Sequence, residues 1–123
     1  MPKVLVCDNE APLRALVRGA LDLGDYEIAE ARDGNESLDL ARTWEPDLIV
    51  LDMMMPGRSG LEVLAELRTE RRFSETPVIM LTARAQAQDR DAALAAGVSR
   101  FVPKPFSPLA LASVVEELLD GQS

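Results

Sequence analysis

Three short apolar runs and one weaker strand candidate of this 123-residue chain lead into side chains that can do chemistry. Val4–Cys7 runs into Asp8, Asn9 and Glu10. Leu48–Leu51 ends on Asp52, and Val78–Leu81 ends on Thr82. Ser99–Val102 leads through Pro103 to Lys104, which stands before Pro105. A carboxylate flush with a buried run has a desolvation cost unless something compensates it. A divalent cation would compensate the pair Asp8 and Asp52, and Mg2+ takes one or two carboxylates plus waters. Asp52, ionised without the help of a base, can attack phosphorus and form an aspartyl phosphate. The cation would offset repulsion between that carboxylate and the anionic phosphate. Thr82 can donate to one phosphoryl oxygen and Lys104 can pair with another. The bland reading is that polar residues mark where strands leave a core. It suits any one position and weakens when all four strand ends are read together.

For these groups to meet, the runs that carry them must be parallel neighbours. None of Val4–Cys7, Leu48–Leu51 and Val78–Leu81 alternates with polar residues, as expected of central parallel strands covered on both faces. Tyr26–Ala31 alternates, and Ser99–Val102 is short and stops at a proline; both read as edge strands. Helical stripes fill the gaps. Leu13, Leu16, Val17, Ala20 and Leu21 make the first, with Gly24 as its stop. Leu38, Ala41 and Trp44 make the second, ended by Pro46. Leu61, Val63, Leu64 and Leu67 make the third, opened by a Ser59-x-x-Glu62 capping box. Gln88–Ala96 is alanine-rich and closed by Gly97. Leu111, Val114, Val115 and Leu118 make the last, with Ser107 as N-cap and Pro108 in the first turn. Five β-α units argue an open parallel sheet with helices on both faces, too few for a closed barrel. In such sheets the functional crevice lies beyond the carboxyl ends of the strands.

Composition removes several alternatives. Apolar residues make up 47% of the chain, enough for a core without crosslinks. There is no histidine, so histidine catalysis is excluded and no Cys/His zinc cluster can form. The single cysteine, Cys7, can form no internal disulfide, and a cytoplasmic setting is the expectation. A formal net charge of -8 repels nucleic acid and anionic membrane, so neither is expected as a direct partner. No apolar stretch approaches membrane-spanning length, and the N-terminal run is too short for a signal peptide. The tail Gly121-Gln122-Ser123 follows the last helical pattern, and the chain reads either as a stand-alone regulator or as one domain of a longer protein.

Together the segments VLVCDNE, DLIVLDMMMPGRSGLEVL, PVIMLTA and RFVPKPF resemble the four signature segments of the response-regulator receiver domain of two-component signalling, in order and spacing, over essentially the whole chain. The resemblance implies a single receiver domain over residues 1–123, with a flavodoxin-like (βα)5 three-layer sandwich and strand order 2-1-3-4-5. It implies Asp52 as phospho-acceptor, with Thr82 and Lys104 holding the phosphoryl group. Mg2+ would be held by Asp8, Asn9, Asp52 and the backbone carbonyl of Met54. Phe101 occupies the position of the family's switch aromatic, and Lys104-Pro105 matches a peptide that is often cis in receivers. The implied partners are a histidine kinase or histidine phosphotransfer protein and a downstream effector or output domain. A phosphorylation-dependent homodimer is a further implied assembly. Such a domain is a signalling module, catalysing only its own phosphotransfer and autodephosphorylation. Its signalling face is the fourth helix, fifth strand and fifth helix.

One residue departs from the pattern. Asn9 stands where the family usually has a second Asp. Its amide oxygen can still ligate a hard cation, with one negative charge fewer, so weaker Mg2+ binding is expected. Glu10 reads as a solvated first-turn acid. Met53, Met54 and Met55 cannot all face one ion and read as loop packing, with Met54 acting through its backbone. Cys7 reads as a buried filler and Trp44 as a core anchor. Phe101 is either a buried edge-strand aromatic or a rotameric switch, and Arg84 is a candidate for tuning phosphate lifetime. Three rival functions have distinct sequence requirements. A flavodoxin-type cofactor binder needs a Gly/Ser/Thr-rich loop where this chain has Asp8-Asn9-Glu10. An aspartyl-phosphate phosphatase typically needs an acid where this chain has Met54. A degenerate receiver, acting as a phosphorylation-independent docking module, is kept open by Asn9.

Overall fold

The computed structural model describes residues 1–22, 24–83 and 87–120, the side chain of Ala87 excepted. Arg84 and the Gly121-Gln122-Ser123 tail, both singled out above, lie outside the described residues. The chain runs β1 (Lys3–Cys7), α1 (Ala11–Leu21), β2 (Glu27–Ala31), α2 (Gly34–Trp44), β3 (Leu48–Asp52) and α3 (Gly60–Arg68). A 3-10 turn (Arg71–Phe73) precedes β4 (Val78–Thr82), α4 (Ala87–Ala95), β5 (Arg100–Pro103) and α5 (Pro108–Asp120). The strands form one parallel sheet, as the apolar runs predict, in the order β2-β1-β3-β4-β5 that the resemblance implies.

The unbroken apolar runs follow from coverage on both faces. Leu5, Cys7, Ile49, Leu51, Val78 and Met80 point into a core shared with Leu38 and Ala41 of α2 and Val63, Leu64 and Leu67 of α3. The alternate residues Val4, Val6, Leu48, Val50, Ile79 and Leu81 point into a second core with Val17 and Leu21 of α1 and Leu111 and Val115 of α5. Each fully buried side chain of this size is worth about 2 kcal/mol against exposure. A one-residue slip of any central strand would exchange the two cores, so the register is firmly specified.

The predicted helix signals hold at three ends. Ser59 and Glu62 form the reciprocal capping box, each side chain accepting the other's backbone N–H at 3.2 Å. Ser107 Oγ accepts the Ala110 N–H at 3.3 Å at the start of α5. Gly97, at φ 96, turns the chain out of α4, its N–H bonding to the Leu94 carbonyl. Three expectations need correction. Gly24 is not the stop of α1: the helix ends at Leu21, and the Gly24 N–H only reaches back to the Leu21 carbonyl at 3.0 Å. Leu16 is 43% exposed, because the stripe of α1 seated on the sheet is centred on Val17 and Leu21. Trp44 is half-buried rather than a core anchor, since α2 ends there in a left-handed Glu45 (φ 52), and the Lys3 ammonium lies 5.5 Å from the ring centroid. The 3-10 turn and its buried Phe73 had no clear periodic signal.

Candidate functional site

The meeting of Asp8 and Asp52 is a consequence of strand register. β1 and β3 pair from Val4↔Leu48 to Cys7↔Leu51, so the next position on each side is Asp8 beside Asp52. β1 is also where the strand order reverses, since the chain leaves it for β2 on one side and returns to β3 on the other. That switch point is where open α/β sheets bind ligands. Both carboxylates are buried, Asp8 1% exposed and Asp52 4%. Lys104 reaches them from the far end of β5, with Nζ donating to Asp52 Oδ1 at 3.1 Å and to Asp8 Oδ2 at 3.3 Å. The Lys104 backbone N–H donates to the Thr82 carbonyl at 2.6 Å, and the Lys104-Pro105 peptide is cis. Thr82 itself is fully buried.

Two buried carboxylates therefore share one ammonium. Burial pushes the Asp52 carboxyl above its ordinary pKa, and the Asp8 charge adds to the rise. The Lys104 ammonium and the Met54 backbone N–H oppose it. Asp8 is further held by the Glu10 backbone N–H, which donates to Asp8 Oδ1 at 2.9 Å. The excess of negative charge and the hard oxygen donors fit a small divalent cation. Among the described residues no cluster of three acidic, histidine or cysteine side chains could hold a metal. A cation here would rest on Asp8 and Asp52, with the Asn9 amide, the Met54 carbonyl and water completing its shell.

The loop behind Asp52 is gripped by two glycines that no local sequence pattern marks. A Cβ on Gly60 would lie 2.3 Å from the Asp52 carbonyl oxygen, and one on Gly34 would lie 2.3 Å from that of Arg58. The Gly60 N–H bonds to Met53 O at 2.9 Å and the Met53 N–H to Leu81 O at 2.9 Å. Arg58, also unremarked in the sequence, donates to Asn35 at 3.1 Å and to Glu66 at 2.9 Å. Of the three methionines, Met53 is buried and Met55 packs on the core, whereas Met54 is 60% exposed, so packing explains only the first two. Cys7 is buried as expected, and burial pushes its thiol up to about 12. Asn9 and Glu10 are exposed. Phe101 is half-buried, with the Arg90 guanidinium 5.7 Å from its ring centroid.

The sequence profile described as "Response regulator receiver domain" matches residues 4–116. Among curated proteins, the chain is 39% identical over 117 residues to the probable transcriptional regulator ycf27 of Porphyridium aerugineum, covering 95% of this chain and 48% of that protein. The chain spans about half the length of the curated relatives it matches. Among solved structures, the receiver domain of the Francisella response regulator 1452 superposes with a TM-score of 0.93 at 32% identity, covering 100% of both chains. The Vibrio cholerae chemotaxis protein CheY4 gives 0.90 at 30% identity, covering 96% of this chain and 98% of that one.

Proposed function

This chain belongs to the response regulator receiver domain family, and we propose that it takes a phosphoryl group onto Asp52 from a phosphohistidine of a histidine kinase or histidine phosphotransfer protein. The observation that carries the reading is the buried pair Asp8 and Asp52 sharing Lys104 at the switch point of the sheet. An Asp52 carboxylate oxygen attacks phosphorus as the P–N bond to the donor imidazole breaks, and the ring nitrogen leaves with the bonding pair. Lys104 is poised to exchange its contact with Asp52 for one with a phosphoryl oxygen. Thr82, beside it at the end of β4, donates to another. Bound at Asp8, Asn9, Asp52 and the Met54 carbonyl, Mg2+ would neutralise the phosphoryl oxygens. Burial of Asp52 at 4% exposure keeps bulk water from competing with the carboxylate during transfer.

The output of this chemistry is a population shift. Drawing Thr82 and Lys104 toward the new anion moves the start of the β4–α4 connection and gives Phe101 a new seat. The face of α4, β5 and α5 is then read by an effector, an output domain or a second copy of the chain, in the cytoplasm. Supporting this choice, Ala93 is the only buried apolar side chain of α4 among the described residues, and Leu94 is 59% exposed, so α4 is lightly held. The test is incubation with a small-molecule phosphodonor and Mg2+, read by intact mass. The chain should gain one phosphoryl group and Asp52→Asn none; amide exchange of residues 87–106 should change on labelling. Labelling of the Asn variant would overturn the assignment. No labelling of the native chain would favour the docking-module reading that Asn9 motivates.

A further inference from the structure

The connection between β1 and α1 has only three residues, Asp8, Asn9 and Glu10, and it carries half of the proposed cation site. Asn9 is exposed and, among the described residues, makes no hydrogen bond of its own, so only the backbone it leaves fixes where its side chain starts. Glu10, the N-cap of α1, makes no side-chain capping bond. Beside the Glu10 N–H to Asp8 Oδ1 bond and the Asp8 N–H to Ala31 carbonyl bond, the corner is held by a side chain one turn further on. Arg14 Nη1 donates to the Asp8 carbonyl oxygen at 2.7 Å, and Nε of the same guanidinium donates to Glu30 Oε1 on β2 at 3.0 Å. The Arg14 side chain is only 13% exposed, against 37% for Glu30 and 50% for Arg18, the second partner of Glu30 at 3.4 Å.

The Asp8 carbonyl belongs to the peptide that joins Asp8 to Asn9. The plane of that peptide sets where both candidate ligands start. We infer that Arg14 is the positioning residue of the Asp8–Asn9 corner, locking the peptide from which the neutral amide ligand departs; this rests on the magnesium reading above. The planar fork suits the task, since one guanidinium holds a carboxylate and a carbonyl in fixed relation, which a lysine ammonium cannot do. The burden on geometry is greater here than at a two-aspartate corner. A carboxylate attracts a dication over distance, whereas an amide dipole helps only when correctly aimed.

Charge and positioning make opposite forecasts. Removing a cation beside a metal site strengthens cation binding by Coulomb's law alone. Loss of a residue that orients ligands typically weakens metal affinity about 10-fold or more. Calorimetric titration of the full chain with MgCl2 should therefore show Arg14→Met binding about 10-fold more weakly, with Arg14→Lys between it and the native protein. In an Asn9→Ala background the Arg14→Met effect should shrink to the share carried by Asp8, whereas any loss of thermal stability should persist in full. Equal or tighter binding by Arg14→Met, or an equal loss in both backgrounds, would overturn the inference. A metal-free readout stands beside it. In EDTA, exchange of the Glu10 amide, which bonds to Asp8 Oδ1, should quicken about 10-fold in Arg14→Met while Val4–Val6 amides hold. An unchanged Glu10 amide rejects the role of Arg14 whatever the metal does. A native chain that neither binds Mg2+ nor takes label rejects the proposed function, and the exchange result still decides on Arg14.

Discussion

Asp52→Asn should stabilise the metal-free protein. Lys104 Nζ lies 3.1 Å from one carboxylate and 3.3 Å from the other, so the two liganding oxygens are at most about 6 Å apart. Like unit charges at about 6 Å repel by about 3 kcal/mol at an effective dielectric near 20, and by about 0.7 kcal/mol in bulk water. Attraction to Lys104 works the other way, by about 5 kcal/mol under the same dielectric of about 20. Burying the charge costs several kcal/mol more. The raised pKa of Asp52 reports which side wins: burial first, then Asp8, outweigh Lys104 and the Met54 N–H. Asparagine keeps the shape, removes the charge and leaves Asp8 and Lys104 as a one-to-one pair. The net gain from these opposed terms should be on the order of 1 kcal/mol, or about 4 °C in Tm for a chain of this length. The sign of the pH dependence is fixed by the direction of the shift. A carboxyl whose folded pKa is raised contributes its stability below its unfolded value, near 4, and loses it as pH rises through the folded value. The advantage of the asparagine variant is therefore full at neutral pH and closes on acidification below about pH 4. Thermal unfolding in EDTA at about pH 7 and about pH 4 reads both. An equal or lower Tm for the variant at neutral pH, or a gap that widens in acid, would refute the reasoning. Saturating Mg2+ should narrow the gap by stabilising the native chain.

Three other substitutions probe the same construction. Lys104→Met strands two buried carboxylates and should cost about 3 kcal/mol by denaturant unfolding, part of which Asp52→Asn should restore in the double variant. Gly60→Ala places a methyl 2.3 Å from the Asp52 carbonyl oxygen, so it should destabilise by about 1–3 kcal/mol and slow phosphodonor labelling; normal labelling at normal Tm would show that the loop can yield. Asn9→Asp adds a charge at the proposed cation site and should tighten Mg2+ by about 1 kcal/mol, roughly fivefold, in a calorimetric titration.

The elements legible in the sequence are those whose cause is local or periodic. The three central runs are continuous because each residue has a core on its own side of the sheet, and that pattern survives without knowledge of partners. The Ser59/Glu62 box and Gly97 could be read because capping and left-handed turns need particular residues. Asp8, Asp52 and Lys104 were legible as strand-end residues, and register brings them together. What could not be read depends on approach between distant segments. Nothing local marks Gly34 as the residue against which Arg58 packs, nor Arg14 as the donor to a carbonyl six residues back and a carboxylate on the neighbouring strand. Trp44 and Leu16 sit at helical spacing for burial, and only the end of α2 and the seating of α1 leave them at the rim.

The two sides of the site are held very differently, and that difference bears on the proposed switch. Asp52 sits in a strand buried along its length, with its carbonyl against Gly60 and the loop after it tied by Arg58 to α2 and α3. Ion pairs continue along that flank through Arg42 with Glu66 and Glu70, and through Arg72 with Glu70 and Glu45. Each such surface pair adds little by itself, but together they hold the same few segments. The other side of the site is built on the edge of the sheet. β5 is an edge strand without a fully buried residue, and its Arg100 reaches α5 through one exposed pair with Glu117. At the far end of α4, Arg68 donates from Nε and Nη2 to the Gly97 carbonyl at 3.1 and 2.8 Å, and from Nη1 to the Phe73 carbonyl. A charge added at Asp52 would thus meet a fully buried strand on the β3–α3 side and, among the described residues, a half-buried edge strand on the α4–β5 side. With the C-terminal end of α4 tied by Arg68, the displacement should be greatest at its N-terminal end, nearest Thr82. Loss of that tie in Arg68→Met should spread the exchange change on phosphorylation from the start of α4 to Gly97, and a pattern identical to the native one would show that the helix is not anchored there.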